Sequence, residues 1–132
     1  MASLRYEQRI AAPPDVVWQV FSDPRSIPEW FPGVTSCTME GNVRTLTLAS
    51  GIEVPEEILV IDALQRRFVY RMNAVLYTFH LATIDVIALG TNDSLCVYST
   101  TAEPDTMALL TGAGTAYALA EIARLAEARA RA

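Results

Sequence analysis

The sequence contains no lysine, so its positive charge comes from arginine side chains alone. The ten arginines are outnumbered by fifteen Asp and Glu residues, which gives a formal net charge of −5 at pH 7. Proteins that bind nucleic acid neutralise its phosphates with clustered Lys and Arg side chains. We therefore expect no nucleic-acid partner for this acidic chain.

The sequence is also poor in residues that bind metals or form disulfides. It has two cysteines, Cys37 and Cys96, and one histidine, His80. Both cysteines fall inside strand patterns, and the three residues lack the spacing of a metal site. We therefore predict two reduced thiols in a cytoplasmic protein, with no metal and no other cofactor.

Long apolar runs are absent as well. No stretch approaches the roughly 20 apolar residues that a membrane span needs, and the N-terminus lacks the apolar region of a signal peptide. We expect no integral membrane segment. Hydrophobic residues nevertheless make up 52% of the chain and charged residues 19%. A single domain over residues 1–132 can thus build a sizeable core and still line a pocket with apolar side chains.

Prolines mark where the helices begin and end. Pro13-Pro14-Asp15 opens a helix, because proline is tolerated in a first helical turn. Asp23-Pro24 ends this helix, because a residue before proline avoids the helical conformation. Residues 25–30 form a second short helix, and Pro104-Asp105 starts a long C-terminal helix. Gly112 and Gly114 either let that helix bend or belong to a loop before it.

Period-two alternation and turn residues predict seven strands. They cover residues 3–11, 34–41, 43–50, 52–61, 67–73, 76–89 and 94–103. The turns between the last six strands are short, as at Gly41-Asn42, which indicates an antiparallel meander.

Residues 10–34, with their helix-opening prolines and two tryptophans, resemble the START-like (SRPBCC) superfamily, in particular its polyketide cyclase/dehydrase and lipid-transport group. Residues 43–48, 56–62 and 67–72 resemble the third, fourth and fifth strands of that family. The resemblance covers essentially the whole chain. It implies an α+β helix-grip fold, in which a curved antiparallel seven-stranded sheet wraps around the long C-terminal helix and two short helices follow strand one.

The resemblance also implies a cavity between the sheet and the long helix. Many family members carry a longer gate loop near the position of the Gly41-Asn42 turn. The short turn implies a simpler lid, or a lid made by another segment such as residues 73–76.

Strand alternation and the resemblance together give a set of candidate ligand-binding residues. Alternation favours the inner face for most of them, and the resemblance places Glu56 and Ile58 there. The set consists of Trp30, Arg44, Leu46, Leu48, Glu56, Ile58, Tyr70, Met72, His80, Ala82, Ile84, Tyr98, Leu110 and Tyr117.

One end of this expected cavity is polar. A hairpin turn near Ser50-Gly51 places Arg44 about opposite Glu56 on the inner face, with Tyr70 and His80 nearby. Buried charges are tolerated when they are paired or hydrogen-bonded. The pair either binds a ligand carbonyl or hydroxyl group, or is a structural salt bridge.

These residues leave more than one function open. The resemblance favours a protein that binds or carries a small hydrophobic molecule, such as a lipid, a quinone or a polyketide-like compound. The alternative is an enzyme of the polyketide cyclase/dehydratase type, with Arg44, Tyr70 and His80 as the catalytic candidates. A regulatory protein that changes shape on ligand binding is a third. No sequence feature bears on oligomeric state, and a homodimer stays open.

Overall fold

Seven β-strands and three α-helices make up the computed structural model in the residues that it describes, 1–72 and 75–132. The strands are β1 (Ala2–Ile10), β2 (Val34–Glu40), β3 (Val43–Leu48), β4 (Glu53–Asp62), β5 (Arg67–Met72), β6 (Phe79–Gly90) and β7 (Asp93–Glu103). The helices are α1 (Pro14–Phe21), α2 (Ile27–Trp30) and α3 (Asp105–Arg131).

The strands form one sheet in the order β1-β7-β6-β5-β4-β3-β2. All neighbours are antiparallel, so β2 to β7 form a meander and β1 returns beside β7. This curved sheet wraps around α3, and the helix-grip fold is confirmed. β6 begins at Phe79, later than the predicted residue 76, and the predicted end of β5 at Asn73 lies outside the described residues.

The inner face of the sheet follows the predicted alternation. In β7 the buried side chains are Ser94, Cys96, Tyr98, Thr100 and Ala102, and their neighbours in sequence are at least partly exposed. The inner face of β1, β6 and β7 packs against α3 and α1, which fill that part of the fold. A hollow is left on the other side, under β3 to β5.

Helix α3 lies close to the sheet because its buried stripe consists largely of small residues. The stripe repeats every three to four positions, and its members are Ala108, Gly112, Thr115, Ala118, Leu119, Ile122, Ala123 and Ala126. The helix is continuous from Asp105, so the alternative that the two glycines belong to a preceding loop is wrong. A Cβ atom on Gly112 would overlap Cδ1 of Leu4, and one on Gly114 would lie 3.2 Å from Cζ of Phe31.

Aromatic rings from α1 and α2 close one end of the interior. The ring centroids of Trp18 and Phe21 lie 5.3 Å apart, and those of Phe21 and Trp30 lie 6.3 Å apart, both in edge contact. Trp30 continues this cluster to Tyr98 on β7. In the part of the chain that the structure describes, no helix is long and apolar enough to cross a membrane.

Candidate ligand-binding cavity

A cavity of about 410 Å³ lies between β3, β4 and β5 on one side and the first half of α3 on the other. Its walls are nearly all apolar. Leu46, Leu48 and Val54 contribute from the sheet, and Met107 and Leu110 contribute from α3. An apolar hollow of this size is typical of a site for a small molecule.

The mouth of the cavity carries exposed apolar side chains from three separate segments. Ile52 in the β3–β4 turn, Leu76 before β6 and Leu110 on α3 are 61%, 64% and 70% exposed, and all three line the cavity. Exposed apolar patches of this kind are typical of binding sites.

Glu56 is the one charged side chain that lines this cavity among the described residues. It lies directly opposite Arg44 in the β3–β4 register, which confirms the predicted cross-strand pairing. Arg44 donates from Nε to Oε1 of Glu56 over 2.8 Å, and both side chains are almost completely buried. Burial raises the pKa of Glu56, while the positive charge of Arg44 acts in the opposite direction.

Arg44 lies behind Glu56 and does not line the cavity. Its second contact goes from Nη1 to the backbone oxygen of Pro24, over 3.1 Å. Its guanidinium carbon lies 4.9 Å from the ring centroid of Tyr70 and 5.2 Å from that of Phe68, so two aromatic faces enclose the charge. Arg44 therefore holds Glu56 in place and is itself screened from a ligand.

Tyr70 lies on the cavity wall, and its hydroxyl group is hydrogen-bonded to the hydroxyl group of Tyr98. Both rings are buried. Burial raises the pKa of each phenol above its ordinary value, that of Tyr70 well above it. Both groups therefore remain uncharged at neutral pH and serve as hydrogen-bond donors or acceptors.

His80 lines a second, adjoining cavity of about 400 Å³ that shares Met72 and Tyr77 with the first. Its Nδ1 atom accepts a hydrogen bond from the backbone N–H of Met72 over 3.0 Å, so the proton of the neutral ring sits on Nε2. Burial lowers the pKa of His80 to about 4. The Nε2 atom is buried and has no partner among the described residues.

The fourteen candidate residues are distributed between the wall of the main cavity, the buried core and other positions in the structure. Six line the main cavity, namely Leu46, Leu48, Glu56, Tyr70, Met72 and Leu110. Ile58, Ala82, Ile84 and Tyr98 are buried in the core instead. Alternation identified the inward face of Ala82, Ile84 and Tyr98, and the resemblance identified that of Ile58. The ring of Trp30 from α2 packs against Tyr98.

Trp30 is a candidate ligand-binding residue in the sequence analysis, and the structure places it in the core instead. Trp30 is 1% exposed, and its Nε1 donates to Oγ of Ser26 over 3.1 Å. Its ring packs against Phe31, 6.0 Å away, and it is Phe31 that lines the cavity. Trp30, the last residue of α2, thus lies in the core, and the next residue, Phe31, lies on the cavity wall.

Tyr117 was expected in the cavity and also lies elsewhere. Its side chain is 71% exposed. Tyr117 follows Leu110 by two helical turns, about 10 Å along the axis, which places it beyond the end of the cavity.

The sequence interpretation missed several residues on the helical wall. Met107, Thr111 and Gly114 line the cavity together with Leu110. Their positions i, i+4 and i+7 form a helical stripe, so the 3.6-residue period of α3 was the signal that could have found them.

The suggested lid segments lie in different places. The Gly41-Asn42 turn does not line either cavity. In the alternative segment, Leu76 lies at the mouth, while Asn73 and Ala74 are outside the described residues. Over the described ranges 1–72 and 75–132, no group of His, Cys, Asp and Glu side chains is arranged to hold a metal ion.

Solved structures with the same fold include a protein named XoxI and two enzymes. The XoxI protein of Bacillus cereus superposes with a TM-score of 0.86 at 25% identity, over 94% of each chain. The Zhui aromatase/cyclase of a Streptomyces species gives 0.81 at 19% identity, over 99% of this chain and 96% of the other. Norcoclaurine synthase of Thalictrum flavum gives 0.79 at 21% identity, over 97% and 95%.

Sequence comparison identifies the family more directly than these structures do. No curated protein matches the chain. The family model described as polyketide cyclase / dehydrase and lipid transport matches residues 1–130, which is nearly the entire sequence. This chain, with its seven-stranded sheet, gripped helix and apolar cavity, therefore belongs to the polyketide cyclase/dehydrase and lipid-transport family.

Proposed function

We propose that the protein binds a small, mostly apolar molecule in the cavity between β3–β5 and α3. The observation that carries this proposal is the lining of the cavity, which is apolar apart from Glu56 and a few hydroxyl groups. The family name, which includes lipid transport, supports the same class of ligand.

The energetics of an open apolar cavity also support a ligand. Protein interiors are normally packed as densely as organic crystals, so an unfilled hollow forgoes favourable contacts. Ile52, Leu76 and Leu110 expose most of their surface at the mouth, and a bound apolar molecule would remove part of it from water. Each square ångström so covered contributes about 25 cal/mol.

The proposal is tested by native mass spectrometry of the freshly purified protein, followed by titration with an apolar fluorescent dye. Val54→Trp fills the cavity from β4, and we expect it to weaken dye binding by about tenfold or more, because the indole occupies the ligand volume. Val60→Trp, on the same strand but 40% exposed and outside the cavity, is the matched control and should leave binding nearly unchanged.

Two results would contradict the proposal. One is a wild-type protein that carries no adduct and binds no apolar probe. The other is an equal effect of Val54→Trp and Val60→Trp in variants whose circular dichroism shows an intact fold.

A second candidate function is acid–base chemistry on the bound molecule, as in a polyketide cyclase/dehydratase. The observation that favours it is the presence of a carboxyl group, Glu56, and a phenol, Tyr70, on one wall of the cavity. Of the three catalytic candidates, Tyr70 lines this cavity, His80 lines the adjoining one and Arg44 lines neither.

Catalysis is tested on whatever ligand is extracted. If Tyr70 acts on the ligand, Tyr70→Phe should slow conversion by about 10²-fold or more. A ligand that returns chemically unchanged after long incubation with the wild-type protein would rule this function out.

A further inference from the structure

The inner wall of the main cavity offers an unused hydrogen-bond acceptor. The carboxyl group of Glu56 has two oxygens, and Oε1 accepts from Arg44. Among the described residues no donor reaches Oε2. Arg44 is completely buried, so a proton on Glu56 would leave a buried guanidinium charge without its partner. The pair is therefore held as two ions, and Glu56 presents a carboxylate oxygen.

The same wall carries a hydroxyl group, that of Tyr70, which can act as a donor. The hydroxyl groups of Tyr70 and Tyr98 share one hydrogen bond, yet each carries a proton. Whichever hydroxyl accepts therefore keeps its own O–H for another partner. Tyr70 is the member that lines the cavity. With Tyr98 donating to Tyr70, the O–H of Tyr70 is available to a ligand oxygen, and the two bonds reinforce each other.

The acceptor and the donor lie near each other. Glu56 pairs with Met72 and Ile58 pairs with Tyr70 in the β4–β5 register, so Glu56 and Tyr70 are diagonal neighbours on the inner face. The guanidinium group of Arg44 contacts both the carboxylate of Glu56 and the ring of Tyr70. One small polar group at the end of an apolar molecule can therefore reach both.

We propose that this wall recognises a hydroxyl group, and that the ligand is an uncharged apolar alcohol or phenol and not a carboxylic acid. The ligand hydroxyl donates its proton to Oε2 of Glu56 and accepts the O–H of Tyr70. This inference rests on the proposed function, since it specifies the chemistry of the molecule in that cavity.

A carboxylate ligand would be repelled at this wall, because Glu56 is itself negatively charged. Glu56 faces the cavity, while the neutralising charge of Arg44 lies behind it between two aromatic rings. A second anion would thus be placed next to Glu56 in an apolar hollow whose described lining includes no cation, which is a costly arrangement. A ligand that accepts but cannot donate, such as a ketone or ether, leaves Oε2 of Glu56 without a partner.

The test compares two ligands with the same chain, 1-dodecanol and dodecanoate, at neutral pH and below the critical micelle concentration. Both are measured by displacement of the apolar dye. We expect dodecanol to bind at least about tenfold more tightly than dodecanoate, and more tightly than its methyl ether. Glu56→Gln removes the negative charge and should reduce the preference for dodecanol over dodecanoate by about tenfold.

A pair of tyrosine variants provides the matched control and does not depend on the folding of Glu56→Gln. Tyr70→Phe should weaken dodecanol binding by about fivefold, the usual size of one lost hydrogen bond. Tyr117 is the control residue, because its side chain is 71% exposed and lines neither cavity. Tyr117→Phe should therefore leave dodecanol affinity within about twofold.

The outcomes separate this inference from the proposed function. If dodecanoate binds as tightly as dodecanol, or if Tyr70→Phe and Tyr117→Phe behave alike, hydroxyl recognition is wrong while apolar binding stands. If the dye binds and neither dodecyl compound displaces it, hydroxyl recognition is again wrong. If neither the dye nor the dodecyl compounds bind, both proposals fall.

Discussion

Arg44 and Glu56 are charged residues in the buried interior, where the removal of a charge from water costs free energy. Their ion pair is buried on both sides, and the desolvation cost is offset by the short hydrogen bond, the contact with the Pro24 oxygen and the two aromatic faces. The exposed pair between Arg67 and Asp85 has a similar Nε–Oδ1 distance of 2.8 Å but stands partly in water. The two pairs therefore allow the effect of burial on stability to be compared at the same donor–acceptor distance.

Arg44→Met should lower the free energy of unfolding by about 3–5 kcal/mol, because it leaves the buried carboxylate of Glu56 without a partner. Arg67→Met should cost at most about 1 kcal/mol. Urea denaturation measures both. Adding Glu56→Leu to Arg44→Met should recover much of the loss, since the pair is then replaced by apolar groups. Equal losses for the two arginines would contradict this account.

His80 should make stability depend on pH in the mildly acidic range. Its pKa is about 4 in the folded protein against 6.5 for the unperturbed group. The unfolded chain therefore binds the proton more tightly, and protonation of Nδ1 would also break the bond from Met72. The stability that neutral His80 contributes is fully present above pH 6.5. As the pH falls towards 4 it is lost, and the free energy of unfolding decreases by on the order of 3 kcal/mol.

Urea denaturation at several pH values between these limits measures the effect. His80→Gln removes the titration, so its stability should fall less steeply than that of the wild type as acid is added. The carboxylates titrate in both proteins and cancel in the comparison. Parallel curves would show that His80 is not the cause.

The close packing of helix α3 against strand β1 depends on the absence of a side chain at Gly112. Gly112 faces Leu4 on β1, and a Cβ atom would overlap the leucine methyl group. The strand and helix patterns were readable from the sequence because alternation and proline placement are local. The reason for the glycine was not, because it depends on a contact between residues more than a hundred positions apart.

Gly112→Ala should destabilise the protein by about 1–3 kcal/mol through overpacking, despite the higher helix propensity of alanine. In a Leu4→Ala background the same change should stabilise by up to about 1 kcal/mol, because the clash is gone and the propensity gain remains. Thermal or urea unfolding of the four proteins measures this reversal of sign. A Gly112→Ala effect of the same sign in both backgrounds would show that Leu4 is not the obstacle.

For the whole molecule, the sequence predicted the fold better than the cavity. Alternation placed Ile84 and Tyr98 on the inner face correctly, but it carries no information on which inner side chains another layer covers. Trp30, which packs against Phe21, covers Tyr98, and this contact arises from tertiary packing of α1 and α2. The cavity is therefore confined to the part of the inner face that these helices leave open.

The packing of Trp30 against Phe31 also has a spectroscopic consequence. Trp30 is buried one ring away from the cavity, and the other tryptophan, Trp18, lies in the same aromatic cluster. A ligand that absorbs where indole emits would accept excitation energy from both rings, and Trp30 would transfer it more efficiently because it is nearer. The intrinsic emission of the unlabelled protein thus reports whether a ligand of that kind occupies the cavity.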